Sequence, residues 1–109
     1  MQEDFELESI LSILTGINCT DNFINVYELF WFIFEDNSIN AMGISALKET
    51  AKKHILSIHP ELKTIKYNSN INLDSWIEDQ KNLFGNELTI SIIGEPIISL
   101  KRKSYQSNR

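Results

Sequence analysis

The chain is poor in most of the residues that chemistry draws on. It has one cysteine, four glycines and two prolines among 109 residues. A lone cysteine, Cys19, can staple nothing within a monomer, so the fold must rest on burial, which suits a reducing compartment. The glycines stand singly, so no glycine-rich loop is available to cradle a phosphate. A membrane span needs about 20 consecutive apolar residues. The most apolar stretch, FINVYELFWFIFED at 23–36, is interrupted by Asn25 and Glu28 and falls short of that. The opening MQEDFELESI lacks the positive start and apolar run of a secretory signal, so the glycosylation pattern at Asn18-Cys19-Thr20 is read as chance. The chain is expected to be cytoplasmic.

Cations are missing from the first half. No lysine or arginine precedes Lys48, while Glu3, Asp4, Glu6, Glu8, Asp21, Glu28, Glu35 and Asp36 all do. The formal net charge of -5 therefore hides a strong segregation, acidic first and basic later. Such a dipolar molecule repels nucleic acid with its N-terminal part and attracts basic surfaces, although solvation alone is a plainer account of the same carboxylates. Phosphate binding needs several cations on one surface. Here it would rest on Lys48, Lys52 and Lys53 with Lys101-Arg102-Lys103, in a chain of pI ≈ 4.9, so nucleic acid is not the expected partner.

Apolar periodicity predicts a mostly α fold with minor α+β character: four helices in one domain over 1–100, then a basic tail at 101–109. Leu7, Ile10, Leu11 and Leu14 form one stripe of a first helix from about Asp4 to Leu14, which Thr15-Gly16 stops. Thr20, Asp21 and Asn22 offer caps to a second helix that runs to about Glu35. A third, Ile44 to Ile58, presents Ile44, Leu47, Ala51, Ile55 and Ile58 on one face and closes at His59-Pro60. Asp74 is the expected cap of a fourth, Ser75 to Phe84, with Trp76, Ile77, Gln80, Leu83 and Phe84 inward and Gly85 as its stop. LTISII then alternates as a strand does, and with IISL beyond GEP it suggests a short C-terminal hairpin or an extended tail.

Catalytic and metal chemistry find little footing. His54 and His59 are five apart, about 140° around a helix, and do not converge on one ion. With Cys19 they match no zinc spacing. A cysteine–histidine nucleophile pair has nothing to activate it. DNSINAMGISAL opens like a calcium loop but has Ala41 for the turn glycine and Leu47 for the closing glutamate. No enzyme, cofactor or metal site is expected.

The aromatic helix is the one feature that asks for a partner. At about 100° per residue, Phe23, Val26, Tyr27, Phe30, Ile33 and Phe34 share a wide face that must be core. Phe32 then falls between Asn25 and Glu28 on the opposite face, and Trp31 on the flank next to Glu28 and Glu35. Two accounts remain open. Phe32 is covered by a loop or the C-terminal hairpin, or Trp31 and Phe32 form an aromatic patch rimmed by Glu28, Glu35 and Asp36. A homodimer seam would use the same side chains.

LESILSILTG, IFEDNSI, KKHILSIHPEL and SWIEDQKNLFGNEL resemble, in order and spacing, a family of short phage- and prophage-encoded proteins of unknown function. The likeness is carried by Leu11, Thr15, Gly16, Asp36, His59, Pro60, Leu62, Trp76 and Gly85. Members of that family carry arginine after Thr-Gly and Leu-Pro before the third helix, where this chain has Ile17 and Gly43-Ile44-Ser45. The resemblance implies expression in a bacterial host cell and a protein that binds and blocks a host factor, such as a defence nuclease or nucleic-acid-handling protein with a basic surface. The alternative is a self-associating module of a phage assembly.

Overall fold

The computed structural model describes residues 1–94. In chain order these form strand β1 (Gln2–Glu6), helices α1 (Leu7–Thr15), α2 (Ile24–Phe34) and α3 (Ala41–Ile58), a 3-10 turn (Pro60–Thr64), helix α4 (Leu73–Phe84) and strand β2 (Glu87–Ser91). The fold is mostly helical with a small antiparallel sheet.

Helix boundaries follow local chemistry. Gly16 takes φ 77 and its N–H donates to the Ser12 carbonyl, ending α1. The Asn40 side chain accepts from the Gly43 N–H and starts α3 three residues before the expected Ile44. The Asn72 side chain accepts from the Ser75 N–H, so Asn72 and not Asp74 caps α4, which begins at Leu73. Asn22 accepts from the Ile24 N–H ahead of α2.

Burial corrects the faces in two places. The sealed stripe of α2 is Val26, Leu29, Phe30 and Ile33, while Tyr27 and Phe34 are half-buried and Phe23 is 41% exposed. Phe23 precedes the helix as its cap residue, beyond the reach of the packed stripe. Leu83, expected inward on α4, is 71% exposed, because α4 packs through Trp76 and Ile77 near its start. Two apolar clusters result. The larger joins α1, α2 and α3 around Phe30, Ile33 and Ile55, and the smaller joins Leu7, Leu11, Cys19, Trp76 and Ile77.

The N-terminus is the main departure. Residues 4–6, expected to start the first helix, belong to β1, which pairs antiparallel with β2 from Gln2↔Ser91 to Glu6↔Glu87. The partner of LTISII is therefore the far end of the chain. The other hairpin arm, 97–100, and the tail, 101–109, lie outside the described residues.

The opposite edge of β2 is held by the two histidines. His54 Nε2 lies 2.7 Å from the Ser91 carbonyl and His59 Nε2 lies 2.7 Å from that of Thr89. A carbonyl only accepts, so both nitrogens donate. Five residues apart, at the end of α3 and just beyond it, the two rings meet one strand edge at alternate residues instead of converging on an ion.

Candidate protein-binding site

Between β1 and α2 lies an open groove of about 470 Å³. Its floor is aromatic and its rim is acidic. From α2 come Glu28, Trp31 and Phe32, with Glu35 just past its end. From β1 come Glu3 and Phe5, two residues apart and thus on one face of the strand.

Each floor ring has a defined contact. The Trp31 indole N–H donates to the Ile39 carbonyl at 2.8 Å, and the ring lies 5.9 Å from Tyr27. Phe32 meets Phe5 with ring centroids 5.2 Å apart at a tilt of 54°. Phe32 and Trp31 are both half-buried, so neither sequence account is complete: Phe32 is partly covered, by Phe5 of the N-terminal strand, and the rest of the ring faces the groove.

Glu3, Glu28 and Glu35 are exposed, and among the described residues none has an ion-pair or hydrogen-bonding partner for its carboxylate. A second acidic cleft, lined by Glu6, Glu8, Lys81, Asn86 and Glu87, is different. There Lys81 Nζ reaches Glu8 at 2.8 Å and Glu78 at 4.0 Å, and the bond to Glu8 holds the Lys81 pKa above its ordinary value.

Glu35 is also strained. It is the only non-glycine residue among those described with positive φ, at 53°, and its carboxylate sits at the negative end of the α2 dipole. A left-handed residue with a Cβ costs about 1 kcal/mol or more. Glu35→Gly is therefore expected to raise stability by about 1 kcal/mol, read as a higher urea midpoint, while removing part of the rim. A less stable Glu35→Gly protein would mean that the Glu35 side chain stabilises the fold.

Asp36, the fifth residue expected here, lies outside the groove. Its carboxylate accepts from the Ser38 N–H at 2.9 Å and the Ser38 hydroxyl at 2.6 Å, which shapes the turn toward α3 and holds its pKa below the usual carboxylate value. Glu3 and Phe5 escape the sequence reading because 4–6 fit a helix. Only the polar–apolar alternation around Phe5 hints at a strand.

Cys19 is buried within the smaller apolar cluster and donates to the Ile17 carbonyl at 3.4 Å. Desolvation pushes its pKa up, so it is a thiol and not a thiolate at neutral pH. Native Cys19 should react with iodoacetamide at least about tenfold more slowly than the urea-unfolded chain. Folding holds this proton, so its contribution to stability is full below the unfolded thiol pKa and is lost as pH rises above it. Equal labelling rates would show the thiol to be accessible.

Among the described residues no group of three or more His, Cys, Asp or Glu side chains is placed to hold a metal. None of their helices is long and apolar enough to cross a membrane. Comparison with protein families, with curated proteins and with solved structures returns no match to this chain.

Proposed function

We propose that this protein binds a basic surface on a protein partner and blocks it by occupancy. The observation that carries the reading is the groove itself: three carboxylates, Glu3, Glu28 and Glu35, with no partner among the described residues, around a floor of Phe5, Trp31 and Phe32. Aromatic anchors inside a polar rim are the pattern of residues that dominate binding energy. Arginine and lysine complement both parts, since their cations pair with carboxylates and also rest on aromatic faces. The resemblance to phage-encoded proteins suggests a bacterial partner, a defence nuclease or another nucleic-acid-handling factor, whose basic channel the acidic half would fill.

A self-associating module is the second reading, favoured by Phe23 and Ile24, each 41% exposed at the start of α2. A two-fold seam through the groove would set its carboxylates against their own copies, which opposes association. The test is a tagged pull-down from bacterial lysate at low and high salt, with identification by mass spectrometry. One basic host protein, lost at high salt, would support the proposal. Recovery of this chain alone, insensitive to salt, would overturn it in favour of self-association.

A further inference from the structure

Resting on that reading, we infer that the partner segment is an extended, arginine- or lysine-bearing stretch that adds to the outer edge of β1 as a third strand. The register defines the edge. Ile92 N–H donates to the Met1 carbonyl and Leu7 N–H to that of Asn86, so the odd-numbered residues of β1 exchange bonds with β2. The backbone groups of Gln2 and Asp4, and the N–H of Glu6, therefore point away from β2. Among the described residues the sheet has only two strands, and nothing pairs with this edge. The far edge of β2, by contrast, is occupied by His54 and His59.

The strand that offers the edge also lines the groove, through Glu3 and Phe5. A strand laid along β1 would send alternate side chains to the face that carries Glu3 and Phe5, onto Phe32 and Trp31 and between Glu28 and Glu35. Its other side chains would pass Asp4 and Glu6 on the opposite face. The groove face carries Glu3, Glu28 and Glu35 without partners among the described residues, whereas on the other face Asp4 accepts from the Thr89 hydroxyl and Glu6 lies near Lys81, so basic residues suit the alternate positions that face the groove. Main-chain bonds supply affinity in strand addition and side-chain positions supply specificity. The same carboxylates blunt the edge against a second copy of this chain, because β1 against β1 sets Glu3, Asp4 and Glu6 against like charge. Charge complementarity therefore selects a cationic strand over self-pairing.

The test uses the full chain and a capped nine-residue peptide alternating arginine and valine, with a glutamate-for-arginine peptide as control. Binding is followed by fluorescence and by amide hydrogen exchange. The arginine peptide should bind, the glutamate peptide should not, and exchange at Gln2, Asp4 and Glu6 should slow at least tenfold, while the amides of Glu3 and Phe5, already paired with β2, stay as they are. Asp4→Pro removes an outward N–H without touching a β1–β2 bond, and should weaken binding at least tenfold; should that variant not fold, exchange on the wild-type chain decides. Binding without protection of the three amides would overturn strand addition and leave the binding proposal standing. No peptide binding, with a salt-sensitive lysate partner still captured, would do the same; loss of both would remove the binding proposal as well. Protection already present in the free protein would overturn the inference too. It would assign the edge to a second copy if it grows with protein concentration, or to the chain's own basic segment if Lys101→Ser/Arg102→Ser/Lys103→Ser abolishes it.

Discussion

Lysine at both position 28 and position 35 is expected to weaken binding of a cationic partner by about 30- to 1,000-fold, with the fold intact. An exposed charge pair contributes on the order of 0.5–1 kcal/mol, and reversal replaces that attraction by a repulsion of similar size, so two reversals amount to about 2–4 kcal/mol. Both carboxylates are exposed and unpaired among the described residues, so the cost in stability should stay within about 0.5 kcal/mol. Salt supplies an internal check, because screening acts on these pairs and not on apolar burial. Wild-type affinity should fall steeply between low and high salt, and that of Glu28→Lys/Glu35→Lys should not. Unchanged affinity in the double variant would place the partner elsewhere on the molecule.

Phe30→Ala should produce the largest loss of stability, about 3–5 kcal/mol. Phe30 is 1% exposed, belongs to the larger cluster and stacks with Phe34 at 6.2 Å between centroids. A domain of this size has about 5–15 kcal/mol in all, so the variant is expected to be partly unfolded at 37 °C. Phe32→Ala, two residues on, removes a half-buried ring and should cost only about 1–2 kcal/mol while weakening partner binding. Urea unfolding of the two variants with an unchanged slope measures the difference. Equal costs would show Phe32 to be as much a part of the core as Phe30, and the groove floor would lose its claim to be a binding surface.

The contrast between Phe30 and Phe32 also marks how far the sequence reaches. Helical periodicity alone places them on opposite sides of α2, and it places Glu28 and Glu35 near Trp31. Four of the five expected site residues do line one groove, because neighbours at three, four and seven positions share a helix side whatever surrounds it. Asp36 fails that logic. It follows the helix, and its conformation is set by a local bond to Ser38.

The four helices, their stops at Gly16, Pro60 and Gly85 and the segregation of charge are all legible in residue order. Each is a property of neighbours along the chain, carried by propensity, capping and the 3.6-residue period. What stands opposite α2 is not legible there. β1 has five residues, no turn ties it to its partner, and Gln2 pairs with Ser91 at the other end of the described chain. That pairing is stabilised by contacts distant in sequence, and loop closure on this scale leaves no local signature. Tertiary pairing brought Glu3 and Phe5 to Phe32, turned two unrelated histidines toward one strand, and left an acidic edge with no pairing strand among the described residues.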